Sequence, residues 1–301
     1  QALSGGISLG GAVTLVNDLT VSASDAVAFG NTLNSIGGQR RALSISTTNN
    51  SVTFSGAVGQ VTRLGAISIA GTPTGIDAGT KNISAASFVN TGAASGTINI
   101  QGTQNYDGAL GLNLLTTGAG GNITLGQVTT TTGGVTLTNS NLLTLLGNVF
   151  SFGTFLQQAG TGGTPTLDIG VTSNGNVLNI QTTNVGSAID IGSATKLNQS
   201  AALIAAGNGS VDLRSTVNSN TTTARSLNIS NTGGTITTGG AIGTASSAPS
   251  SALSLININA GATGTINLNG GAITTSTSTG QVYTGSINLG NADLTLTANG
   301  T

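Results

Sequence analysis

The chain has 301 residues, 48 of them Gly and 3 Pro, with 7 Lys and Arg against 8 acids for a net charge of −1. It has no His, Cys, Met or Trp, and every acid is Asp. These absences exclude disulfide staples, His- or Cys-based metal sites and nucleophilic triads, and the near-neutral balance excludes the basic footprint of a nucleic-acid binder.

Charged residues make up 5% of the chain, against about 25% in ordinary domains. Hydrophobic residues reach 37% and alternate regularly, which favours order over disorder. Strong helix formers such as Glu, Lys, Arg, Met and Gln are scarce, while Thr, Val and Ile suit a pleated surface and Gly, Asn and Ser suit turns. No leader with a basic and then an apolar segment opens the chain, which begins at Gln1, so it reads as a mature protein or an excerpt of a longer one.

Short strands with period-two alternation then follow in order: Ile7-Ser8-Leu9, Val52-Thr53-Phe54, Ile67-Ser68-Ile69, Ile98-Asn99-Ile100, Ile123-Thr124-Leu125 and Val135-Thr136-Leu137. Loops are expected at Asn31 to Arg41, Gly71 to Lys81 and Gly239 to Ser251, which hold Pro73, Pro249 and several charges. The longest apolar run, Leu142 to Phe155, is interrupted by Thr144, Gly147, Asn148 and Gly153 and falls short of the roughly 18 residues of a membrane span.

In the middle of the chain Leu167-Asp168-Ile169, Ile189-Asp190-Ile191 and Val211-Asp212-Leu213 recur every 22 residues, with Gly170 and Gly192 in phase. Towards the end Thr265-Ile266-Asn267-Leu268 and Ser286-Ile287-Asn288-Leu289 lie 21 apart, before Leu294-Thr295-Leu296. A period of roughly 20–25 residues is the signature of a solenoid coil, because one coil cannot bury its own apolar face and must stack. The expected fold is therefore all-β, a single parallel β-solenoid domain over residues 1–301. Thirteen or fourteen coils rising about 4.8 Å each would make a rod roughly 65 Å long.

Two stretches carry a family likeness. Ser51-Val-Thr-Phe-Ser-Gly-Ala-Val-Gly59 with Leu64-Gly-Ala-Ile-Ser-Ile-Ala-Gly71, and Gly102-Thr-Gln-Asn-Tyr-Asp-Gly-Ala-Leu110, resemble repeat units of very large bacterial β-strand-repeat surface proteins, similar to filamentous-haemagglutinin adhesins. The resemblance implies a right-handed parallel β-helix, secreted to the cell surface and used for attachment or as a layer or filament. It brings no catalytic or binding residues with it, and the haemagglutinins' amino-terminal secretion domain has no counterpart here.

Candidate chemistry rests on carboxylates alone. Asp168, Asp190 and Asp212 would form a row about 5 Å apart if all three stack, a geometry open to Ca²⁺ or to sugar chemistry. The row lacks the Arg, Lys, Tyr or His that surround a carbohydrase site, and Arg214 stands beside it, so it reads as a solvated, partly neutralised outer face. Thr136-Leu137-Thr138, Thr235-Ile236-Thr237 and Thr295-Leu296-Thr297 raise ice binding but do not recur at one-coil spacing. Asn99, Asn267 and Asn288 are expected to form amide ladders between coils. The sequence thus points to an extracellular structural or adhesive protein, not an enzyme, with no catalytic, cofactor or metal residues and no cofactor. Its expected partners are copies of itself or flanking repeats of a longer chain, with surface glycans in addition. A polysaccharide-active β-helix enzyme and an ice-binding solenoid stand as alternatives.

Overall fold

A computed structural model describes residues 5–170, 176–220, 223–244, 252–277, 280–290 and 293–299. Among them there are 34 strands and no helix, hence none long and apolar enough to cross a membrane. The strands pair in parallel and stack as β-solenoid, about 11 turns in all. The chain divides into two compact units. One comprises Gln1–Leu146 with Ala159–Pro165, the other Gly147–Gln158 with Thr166–Thr301.

In the first unit each coil contributes to three columns of strands. The first column stacks Ile7–Leu9, Val27–Phe29, Ser51–Phe54, Gly75–Gly79, Ile98–Ile100, Ile123–Leu125 and Leu142–Leu145. The second begins with Val13–Leu15 on Leu33–Ser35, passes through Val58 and Ile83, and continues with Gln104–Tyr106 and Val128–Thr130. The third runs from Leu19–Ala23 through Leu43–Thr48, Leu64–Thr72, Ile83–Asn90 and Leu112–Leu115 to Val135–Asn139. Apolar residues at alternate positions turn inward, so Val27, Val52, Ile76, Ile98 and Ile123 form one buried row. Phe29 and Phe54 stack inside it with ring centres 5.4 Å apart and planes 8° from parallel.

The second unit has the same three columns. The first holds Thr166–Ile169, Ala194–Leu197 and Val217–Ser219, then Ile242, Ala272–Thr275 and Thr295–Ala298. The second stacks Val149–Ser151, Leu178–Thr182, Ala201–Ile204, Ser226–Ser230, Leu255–Asn259 and Gln281–Thr284. The third stacks Phe155 to Gln157 under Ile189–Ile191, then Val211–Leu213, Thr235–Thr238, Thr265–Leu268 and Ser286–Leu289. Its core around Ile169, Ile191, Leu203 and Leu213 leaves no room for a water molecule.

The coils are fewer than thirteen because several are longer than 22 residues. Val149 pairs with Ile180 and Ile236 with Ile266. One expected loop is largely strand and another holds a short one. Gly71 to Lys81 contains Gly75–Gly79, where Ile76 and Ala78 turn inward, and Asn31 to Arg41 contains Leu33–Ser35. The apolar alternation there outweighs Gly and Pro as breakers. In Gly239 to Ser251, Ile242 bridges Val217 and Ile273, and residues 245–251, with Pro249, lie outside the described residues.

Corners are sealed by polar side chains turned inward. Buried Asn90 donates to the Gly92 and Leu115 carbonyls at 2.8 and 2.7 Å and accepts from the Leu115 N–H at 2.8 Å. Asn231 donates to the Gly209 carbonyl at 2.9 Å. Tight stacking demands Gly at places. Gly71 has φ +86°, and a Cβ there would run into the Thr47 carbonyl of the coil below.

Candidate functional site

The carboxylates expected in one row separate onto two faces. Asp190 and Asp212 do stack, on adjacent third-column strands, with direct register. Asp168 does not join them. It lies in the first column, opposite Lys196, whereas Asp190 lies in the third. The spacing of 22 between Asp168 and Asp190 therefore links two different columns, whereas the spacing between Asp190 and Asp212 is a true coil step.

Arg214 closes the Asp190–Asp212 pair. Its Nε donates to Asp190 Oδ1 at 2.7 Å and lies 3.4 Å from Asp212 Oδ2, while its Nη2 pairs with Asp190 Oδ2. The side-chain hydrogen bond to Asp190 raises the affinity of the guanidinium for its proton. Partial burial, then the charge of Asp190, push the Asp212 carboxyl above its usual range, and Arg214 works in the opposite direction. On the first-column face Asp168 Oδ2 accepts from Asn198 Nδ2 at 3.0 Å and sits 4.0 Å from Lys196 Nζ, and Asn220 continues the row by donating to Asn198 at 3.1 Å. The chemistry of both faces is cohesion between coils: a shared cation on one, an Asp–Asn–Asn chain on the other.

The amide ladder forms between Asn288 and Asn267, Nδ2 to Oδ1 at 3.2 Å. Asn99 stands in a different column of the other unit and donates to Asp77 at 2.9 Å, while Gln101 donates to Asn99. The Thr triplets lie on outward faces without stacking on each other. Thr136 and Thr138 face Asn113 and Leu115, Thr235 and Thr237 face Thr265 and Asn267, and Thr295 and Thr297 face Ala272 and Thr274.

Three features are not apparent from spacing. Asp107 forms ion pairs with two arginines far away in sequence, Arg40 Nη1 at 2.8 Å and Arg63 Nη1 at 3.2 Å. Only the lengths of the intervening coils bring them together. Buried Tyr106 donates to Gln104 at 3.1 Å, and Gln104 donates to the Ile100 carbonyl at 3.0 Å, so a polar bridge joins two columns inside the core. Tyr283, Gln281 and the Ile273 carbonyl repeat this arrangement in the second unit. The signal was present as Gln-Xaa-Tyr at 104–106 and 281–283. Burial pushes the Tyr106 hydroxyl far up and that of Tyr283 up to about 12.

Among the described residues no group of three or more His, Cys, Asp or Glu is placed to hold a metal ion. Neither a protein-family model, nor a curated protein, nor a solved structure matches the chain. The class defined by the coordinates is that of parallel β-solenoid repeat proteins.

Proposed function

We propose that the protein is an extracellular structural or adhesive component of a bacterial cell surface that associates with further coils of its own kind, in a filament, sheath or layer or within a large adhesin. The observation that carries this reading is the apolar ring at Ser286–Leu289 and Thr295–Ala298, which further coils of a longer chain or of a second copy would cover. Ile287, Leu289 and Leu296 occupy the inward positions that Ile266, Leu268 and Ile273 hold one coil earlier. Those three are sealed, whereas Leu289 is 66% exposed and its two companions are about half-exposed. An apolar ring of this kind, edged by free N–H and C=O groups, is a template for another coil. Sparse charge offers little repulsion against it. The likeness of residues 51–71 and 102–110 to bacterial surface repeats supports the location.

The role is one of scaffold rather than catalyst in this reading, since the stacked acids Asp190 and Asp212 are tied to Arg214. Light scattering and negative-stain microscopy of residues 1–301 test it. Assemblies that grow with concentration support self-association. A monodisperse monomer at high concentration overturns it, and turnover of a glycan abolished by Asp190→Ala overturns the scaffold role.

A further inference from the structure

Four of the large apolar side chains left in water share one corner of the first unit. Each lies in the link between the second and third columns: Val16 after Val13–Leu15, Ile36 after Leu33–Ser35, Val61 after the Val58 bridge, and Leu110 after Gln104–Tyr106. Val61 is 87% exposed and Leu110 69%. The first three stand on consecutive coils and Leu110 two coils further on, so the row extends over about 19 Å at the usual inter-strand spacing. The coil it skips has no loop at this corner. Ile83–Asn90 runs straight through, pairing with Gln104–Tyr106 at one end and Leu112–Leu115 at the other.

Arginines line the same corner. Arg40 and Arg41 share the loop of Ile36, and Arg63 ends the loop of Val61. Arg40 and Arg63 both reach across the skipped coil to Asp107, which precedes Leu110. The other acid here, Asp18, is engaged by the Ala42 N–H at 2.9 Å. Three of the chain's 7 cations thus meet two acids, and the ridge carries a positive balance on a molecule of net charge −1.

We propose that this ridge docks the first unit on an anionic lipid surface. Aliphatic tips projecting from loops, with arginines beside them, match the chemistry of the bilayer interface: the tips enter the acyl boundary and long cationic side chains remain at the phosphates. A soft bilayer accepts a convex row that two rigid copies, meeting tip to tip, would bury poorly. The corner carries no aromatic ring to stack on a sugar face. The inference stands apart from the stacking of coils, which uses a different surface.

The test is co-sedimentation of the 301-residue chain with vesicles of phosphatidylcholine alone and of phosphatidylcholine with phosphatidylglycerol. The expected result is binding to the anionic vesicles, weakened by salt and by Arg40→Gln with Arg63→Gln. The double variant Val61→Asp with Leu110→Asp should bind at least about tenfold more weakly, with an unchanged melting curve because both side chains already stand in water. Absence of binding to anionic vesicles overturns the proposal, as does equal binding to both vesicle types or binding that the double variant retains. Wild-type dimers that the double variant dissolves, without vesicle binding, would assign the ridge to a second copy instead.

Discussion

Arg214 is the residue on which the outer face of the second unit turns, because it holds two carboxylates of adjacent coils at once. Arg214→Ala leaves Asp190 and Asp212 facing each other unpaired. Arg214 is well exposed and Asp212 partly so, although Asp190 is more covered, so the expected loss is modest, about 0.5–1 kcal/mol near neutral pH. Its pH dependence is distinctive. A carboxyl whose folded pKa is raised favours folding at low pH and loses that contribution as pH rises through the folded value. The deficit of the variant should therefore shrink as pH falls through the raised Asp212 value towards 3.8, which urea melts of both proteins at several pH values will read. Asp190→Asn should be close to neutral, since the amide oxygen still accepts from Arg214 and one like charge disappears. The two tyrosines supply a second readout. Both phenols resist ionisation by burial, and their protonated form stabilises the fold fully below pH 10 and is lost above it. A 295 nm titration should show Tyr283 ionising near 12, with Tyr106 silent until the protein unfolds, and both near 10.0 in denaturant. A folded protein with two ordinary titrations would refute the internal Gln–Tyr bridges.

At the scale of the strand, stability lies in rows of inward side chains and in the few places where coils touch backbone to backbone. Ile191→Asp puts an unpaired carboxylate into a dry core with no room for water and should cost several kcal/mol, enough to abolish the cooperative melt. Gly71→Ala adds a Cβ at positive φ against the Thr47 carbonyl and should cost about 1–3 kcal/mol, measurable as a lower urea midpoint. A variant of wild-type stability would mean that this corner can relax. Inward rows of this kind are what the sequence made legible: Ile98-Asn99-Ile100 or Ile266-Asn267-Leu268 needs no partner to declare its buried face. Coil steps were legible only where corners were short. Asp190 to Asp212 was a true step, but Asp168 to Asp190 had the same spacing and was not, because spacing counts residues without revealing how many a corner holds. For the same reason Pro73 and its glycines looked like a loop although Ile76 and Ala78 continue the inward row. The candidate site shared this limit. Arg214 beside its aspartates was visible, whereas Asp107 bridging Arg40 and Arg63 depended on three corners at once.

For the whole 301-residue chain the decisive property is that coils are held by their neighbours, so protection should fall where a neighbour is missing. The direction of the hydrogen bonds makes this specific. Inward residues donate to the following coil: Ile7 to the Ala26 carbonyl at 2.9 Å, Ile98 to Asn122 at 2.8 Å, Ile189 to Ser210 at 2.9 Å and Ile256 to Gly280 at 2.6 Å. Outward residues and corner glycines donate back to the preceding coil, as Ser286 does to the Gly264 carbonyl at 3.1 Å and Gly290 to Leu268 at 2.9 Å. By this alternation the N–H groups of Ile287 and Leu289 face the uncovered edge of Ser286–Leu289. Amide exchange followed by NMR in dilute solution should find these two amides nearly unprotected, Ser286 and Gly290 slower, and Ile189, Val211 and Ile236 slowest. Raising the protein concentration then separates two outcomes. If another coil settles on the edge, Ile287 and Leu289 gain partners, and their protection must rise with concentration while that of Ile189, already saturated, does not. If their exchange stays fast at every concentration at which the protein remains folded, the apolar ring of the last coil is not a surface on which copies stack, whatever the ridge at Val61 and Leu110 does with lipid.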